Sequence, residues 1–265
     1  MENRYIKPPF NRQGNKLPIL KNIIPLVPPH TTYVELFAGS AVLFFNLPKA
    51  KKNVLNDLDE DVYDRLRLLK KAPLDPSLYK QNLNTLTSIT QFYHHHTQDD
   101  ADILYEPKEI ADEILYQKIK SSNGYMGVPV VNDKIYNKTN PLNILKKLDY
   151  YKCMMKDVIV TNKDYETIVN KYDSPTTFFF IDPPYENTIK NHFYSSKETF
   201  DYDRLNNVLK NIKGKFLMTI NDSKNIRKIF GEFNIKCMKV RTTWSKGNMG
   251  RGGDEIRQEL FIMNY

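Results

Sequence analysis

Short unbroken apolar runs alternate along the chain with longer amphipathic stretches. The runs at residues 33–37, 53–57, 157–161, 176–181, 215–220, 235–240 and 259–264 have strand length and are rich in β-branched and aromatic residues. Helical apolar spacing occupies 17–24, 61–69, 79–93, 110–120, 141–155, 165–170, 203–212 and 226–230. Strands alternating with helices argue for an α/β protein built on a doubly wound parallel sheet, with room for the late strands to run antiparallel. Residues 60–150 break the alternation, with helical segments, an acidic loop at 97–107 and a turn-rich patch at 121–127. We read 61–150 as an inserted, mostly helical subdomain with a loop or hairpin at 121–136. Residues 1–60 and 151–265 then form the main domain.

The run Thr176-Thr177-Phe178-Phe179-Phe180-Ile181 predicts a strand buried on both faces, and Asp182-Pro183-Pro184-Tyr185 ends it. Neither proline can donate to a sheet ladder, so the strand stops at Asp182. A stiff loop at the carboxyl end of a central strand is where open α/β sheets bind ligands. The Asp182 carboxylate and the Pro183 carbonyl offer two fixed acceptors to the two hydrogens of an exocyclic base amine. Accepting both favours a pyramidal nitrogen whose lone pair can attack a sulfonium methyl. Tyr185 is suited to stack on a base taken out of the duplex. The plainer reading of the tetrapeptide is a rigid turn.

Three further segments carry candidate chemistry. Gly14-Asn15-Lys16 can hold an anion at a helix start, or be an ordinary turn. Residues 33–45 predict a strand, a tight turn of small residues around Ala38-Gly39-Ser40, then a helix. The turn lacks the Gly-x-Gly-x-x-Gly of nicotinamide-binding folds. Asp57 ends the next strand, where an acid suits ribose hydroxyls or caps the following helix.

Composition narrows the setting. The chain is 26% charged with mean hydropathy −0.56, and no apolar run approaches a membrane span. The first residues have no apolar signal core, so a cytoplasmic protein of a bacterial, phage or viral setting is expected. Cys153 and Cys237 sit in apolar-periodic segments and read as free core thiols. His94-His95-His96 has no Cys or Glu at metal spacing and reads as a solvated loop, so no metal is expected. A net charge of +8 fits a nucleic-acid surface.

With these pieces in order, the chain resembles the Dam-like adenine-N6 DNA methyltransferases. It shares their order of cofactor loop, glycine motif, recognition insert and Asp-Pro-Pro-Tyr. The resemblance implies a Rossmann-like methyltransferase sheet, with residues 61–150 as the target-recognition insert. It implies S-adenosylmethionine as cofactor. Lys16 and the turn Glu35-Leu36-Phe37-Ala38-Gly39-Ser40 would hold its methionyl part, Asp57 its ribose, and Asp164-Tyr165 its adenine, with Asp182 also among the cofactor contacts. Asp182, Pro183, Pro184 and Tyr185 would be catalytic. Residues 259–265 are similar to the family's closing strand. Ala41 replaces the second glycine of the turn, and Arg12 replaces an aromatic before the Gly-Asn-Lys step.

The expected activity is methyl transfer to N6 of a flipped-out adenine in duplex DNA, at a short specific sequence, by a monomer or weak dimer. Lys190, Lys197, Lys246, Arg251 and Arg257 are candidate phosphate contacts, and Asn123 lies in the candidate recognition segment. Each of these charges reads equally as a solvated surface group. Cytosine-N4 methylation uses the same geometry but more often carries Ser at the first motif position, which Asp182 disfavours. RNA and free bases fit less well. A silent DNA-binding protein of the same fold would not need Lys16, Asp57 and the complete Asp182–Tyr185 motif.

Overall fold

The computed structural model describes residues 5–10, 14–75, 77–80, 107, 110–111, 130–131, 134–135, 145–186, 200–243 and 254–265. They divide into two compact units. One comprises Met1–Leu17, Gly39–Leu47 and Glu60–Val160; the other comprises Pro18–Ala38, Pro48–Asp59 and Thr161–Tyr265.

The second unit holds the chemistry-bearing part of a seven-stranded sheet. In chain order the strands are β1 (Thr32–Glu35), β2 (Lys52–Asn56), β5 (Ile159–Thr161), β6 (Thr177–Ile181), β7 (Lys215–Asn221), β8 (Asn234–Thr243) and β9 (Asp254–Met263). Their spatial order is β5-β2-β1-β6-β7-β9-β8. β1 runs parallel to both β2 and β6, and β6 parallel to β7. β9 runs antiparallel to β7 and β8. The strand order reverses between β1 and β6, and the carboxyl ends at such a switch point are where open α/β sheets bind ligands.

β6 is buried at every position, as its Thr-Phe-Phe-Phe-Ile sequence requires of a central strand covered on both faces. Val34, Phe179, Phe216, Met218, Ile220, Leu260 and Ile262 share a core with helices α5 (Tyr165–Tyr172), α6 (Tyr202–Lys210) and α7 (Lys224–Ile229). Asp164, Asp201 and Ser223 cap these helices, each side chain accepting a backbone N–H of the first turn. Alternation sends Glu35, Thr219, Asn221 and Glu259 to the opposite sheet face. The β8–β9 ribbon continues five residue pairs beyond Asn221↔Glu259, the last pair between β7 and β9.

In the first unit, α2 (Glu60–Lys71) buries Val62, Leu66 and Leu69 and packs on α4 (Leu148–Met155). Acidic Glu60 and Asp61 open α2, and Lys70 and Lys71 close it, matching the helix dipole. Tyr151 packs edge-on against Phe45 at 5.3 Å and donates to the Lys7 carbonyl. Short helices α1 (Leu20–Ile23), in the second unit, and α3 (Ser77–Lys80) are also present. A two-residue antiparallel pair, β3 (Val130–Val131) and β4 (Lys134–Ile135), falls inside the expected 121–136 hairpin.

Two expectations change. The helix expected after Ser40 is only a 3-10 turn, Phe44–Asn46, because Gly39 and Ala41 both take positive φ (50° and 51°) and Pro48 follows closely. Ala41 thereby occupies a left-handed conformation that costs a non-glycine residue about 1–2 kcal/mol. Cys153 and Cys237 are exposed rather than core thiols: Cys153 lies on the solvent side of helix α4, and Cys237 on the edge strand β8. The expected helices at 79–93 and 110–120, the histidine run and the basic tip at 244–253 lie largely or wholly outside the described residues.

Candidate active site

The carboxyl ends of β1, β2 and β6 come together through backbone and one side chain. Glu35 stands opposite Phe180 in register, and Leu36 donates its N–H to the Phe180 carbonyl. Ala38 donates to the Asn56 carbonyl at 2.8 Å. Asn56, buried at the end of β2, uses its whole amide. It donates to the carbonyls of Leu36 (3.0 Å) and Lys163 (2.9 Å) and accepts from Thr161 Oγ1 and the Lys163 N–H. One side chain thus ties the turn after β1 to the loop after β5, which leads into Asp164.

Around this frame lie the expected cofactor residues. Glu35 is buried and accepts the Tyr33 hydroxyl at 2.7 Å. Burial, then the Glu35 charge, pushes the Tyr33 hydroxyl far above its ordinary pKa. Asp57 receives the Asp59 N–H at 3.0 Å, so it shapes the start of α2 and is partly exposed. Phe37, Tyr165 and Phe200 form an aromatic group with centroids 5.6–6.0 Å apart. The Tyr165 hydroxyl is buried without a hydrogen-bond partner, and burial lifts its pKa to about 12. Arg204 lies 4.9 Å over the Tyr165 ring and forks onto both Asp164 oxygens (2.7 and 3.0 Å) and onto Glu166.

The loop after β6 is fixed at several points. Thr219 on β7 donates to Asp182 Oδ1 at 2.9 Å. Tyr202 at the start of α6 donates to the Pro184 carbonyl at 2.6 Å. Glu186 accepts from Ser223 and Asn225 at the start of α7. Tyr185 packs its ring on the core and donates its hydroxyl to Glu259 on β9. Burial first, then the Asp182 and Glu259 charges, raise the Tyr185 pKa, so its hydroxyl stays a donor. Among the described residues nothing donates to the Pro183 carbonyl, whereas Pro184 is occupied. The Asp182 carboxylate and the Pro183 carbonyl stand side by side just past the end of β6.

Lys16, Gly39 and Ser40 belong to the other unit. There Lys16 is buried and its ammonium reaches the Gly14 carbonyl at 2.8 Å, and Gly14 takes φ 80°. Arg257 is exposed on β9, opposite Val240. Asn123, Lys190, Lys197, Lys246 and Arg251 lie outside the described residues. The clamps Asn56, Tyr202, Thr219 and Arg204 escaped sequence reasoning; their only signal is a polar residue at a strand end or in the first turn of a helix. No cluster of three metal-ligating side chains occurs among the described residues. No helix there is long and apolar enough to cross a membrane.

Known proteins resemble the chain in sequence. The chain is 27% identical to the type II methyltransferase M.CviBI of Paramecium bursaria Chlorella virus NC1A, over 98% of its own length and all of that protein. It is also 27% identical to the type II methyltransferase M.MjaIII of Methanocaldococcus jannaschii, over 98% and 99% of the two chains. A 71-residue stretch, 26% of this chain and 11% of the other, is 37% identical to the modification methylase StsI of Streptococcus sanguinis. Residues 13–244, running from the Gly14 loop past the Asp182 motif into β8, match one family model, and the chain belongs to the D12 class N6 adenine-specific DNA methyltransferase family.

Proposed function

We propose that this DNA methyltransferase transfers a methyl group from S-adenosylmethionine to N6 of an adenine turned out of duplex DNA, at one short sequence. The observation that carries the reading is the pair of acceptors at the switch point, Asp182 and the Pro183 carbonyl. The neighbouring Pro184 carbonyl is held by Tyr202. S-adenosylmethionine supplies an electrophilic sulfonium methyl, and the sulfur keeps the electron pair of the broken S–C bond. Asp182 and Pro183 orient the amine for attack. The nitrogen's surplus proton leaves along its hydrogen bond to the Asp182 carboxylate and passes to water. Tyr185 covers the face of the base.

The residues fit the cofactor. The orphaned Tyr165 hydroxyl and the Phe37–Phe200 group offer an aromatic surface with one unsatisfied polar atom, suited to a purine. Asp57 and Glu35 place carboxylates at the ends of β2 and β1, suited to ribose hydroxyls and an ammonium. For Lys16, Gly39 and Ser40 the same role rests on the family resemblance. Residues 61–150 serve as the recognition insert in this reading, and the relatives' names suggest a modification enzyme of restriction-modification type.

The test is incubation with labelled S-adenosylmethionine and unmethylated plasmid, then nucleoside analysis and mapping of modified positions. N6-methyladenine at one short motif, abolished by Asp182→Ala with cofactor binding retained, is the expected result. N4-methylcytosine, or turnover that survives Asp182→Ala, would refute the proposal.

A further inference from the structure

Asp182, Thr219, Tyr185 and Glu259 form one polar chain from the loop after β6 across β7 to β9. Thr219 is completely buried, and its hydroxyl donates to Asp182 while also touching the Tyr185 hydroxyl. Tyr185 in turn donates its hydroxyl to Glu259. The register explains the convergence. β7 pairs with β6 on one side and with β9 on the other, where Asn221 stands opposite Glu259. Thr219, Asn221 and Glu259 share a sheet face by alternation.

A tyrosine ring has two side-chain torsions, and packing of one face limits only their range. Fixing the far end of the ring removes the remaining freedom, and a carboxylate acceptor does so more firmly than a neutral one. We propose that Glu259 is a positioning residue of the methyl-transfer step. Through the Tyr185 hydroxyl it sets the tilt of the ring against the target base, while Thr219 sets the Asp182 carboxylate in the same network. In this proposal Glu259 acts through the Tyr185 hydroxyl, not on the base or the cofactor directly. This inference deepens the proposed function and rests on it.

The experiment is a double-mutant cycle on the full chain, using Tyr185→Phe, Glu259→Ala and the double variant. The DNA carries 2-aminopurine in place of the methylated adenine for binding, and adenine for turnover. Each single change is expected to lower kcat about tenfold, the loss of one charge-assisted hydrogen bond. Cofactor affinity stays unchanged, and 2-aminopurine emission rises because the base is less well stacked. The double variant is expected to be no worse than either single one. Glu259→Gln, which still offers an acceptor, recovers most of the rate and also serves if Glu259→Ala does not fold. Multiplicative losses in the double variant overturn the inference, as does an equal loss from Glu259→Gln and Glu259→Ala. Asp182→Ala runs alongside as the control on the reading itself. Turnover that survives it refutes the methyl-transfer mechanism, whereas an inactive Asp182→Ala with an uncoupled Tyr185–Glu259 pair refutes only the positioning role.

Discussion

Asn56 pairs with Lys163 as a neighbouring strand residue would, its amide nitrogen donating to the Lys163 carbonyl at 2.9 Å and its amide oxygen accepting the Lys163 N–H at 3.0 Å. This mimicry ends β2 on a fixed backbone and orients Asp164 and Tyr165 behind it. Asn56→Asp keeps the shape but turns the donor into an acceptor facing two carbonyls. A buried charge left against carbonyl oxygens costs about 3 kcal/mol or more. The urea midpoint should fall accordingly with an unchanged m value. A midpoint within experimental error of the parent would remove Asn56 from the scaffold.

Arg204 makes a different kind of contact. Its fork to Asp164 and Glu166 is roughly half exposed, so its contribution to stability is under about 1 kcal/mol. Its plane, however, covers the Tyr165 ring and holds both oxygens of Asp164, which lysine cannot do. Arg204→Lys is therefore expected to leave the thermal midpoint nearly unchanged and weaken S-adenosylmethionine binding about fivefold. Scanning calorimetry reads the midpoint and calorimetric titration the affinity. Unchanged affinity would place the cofactor's purine away from Asp164 and Tyr165.

How far the sequence foretold this site depends on the range of each interaction. β6 was legible because five consecutive buried residues and two prolines are a local signal. The stop at Asp182 followed from the same logic, while the sequence only left room for the late strands to run antiparallel, as β9 does. Thr219 and Tyr202 were not legible, since their partners lie 37 and 18 residues away and each alone is an ordinary polar residue. Asn56, whose partner lies 107 residues on, was hidden by its neighbour Asp57, which carries the more suggestive charge. The cysteines misled for a related reason: apolar neighbours show neither which side of a helix Cys153 takes nor that the strand of Cys237 lies at the sheet edge.

Tyr151, Tyr165 and Tyr265 each have their hydroxyl pushed up to about 12, chiefly by burial. An unfolded chain ionises its tyrosines near pH ~10. The folded state therefore keeps these protons longer than the unfolded state does. Their contribution to stability is complete below pH ~10 and is lost as the pH rises toward about 12. Thermal midpoints should consequently be insensitive to these groups from neutral pH to about 9 and fall steeply above ~10. Tyr165→Phe should flatten that fall, because one ionising group is removed from the unfolded state. A fall as steep as the parent's would mean that Tyr165 ionises freely in the fold.

Arg257 stands exposed on the part of the β8–β9 ribbon that extends past the last β7–β9 pair, at the same end of the sheet as Asp182. Under the proposed function, a cation on that extension would meet a phosphate of the duplex. Phosphate contacts release counterions, so each contributes about −0.9 to the slope of log K against log salt. Arg257→Gln should weaken binding to target and non-target duplexes by the same factor and reduce the slope by about 0.9. The turnover of bound substrate should be unchanged, because no reacting group is touched. Filter binding of both duplexes across a salt series measures this directly. An unaltered slope would show that Arg257 contacts no phosphate, and a loss confined to the target sequence would move it from backbone positioning to base readout.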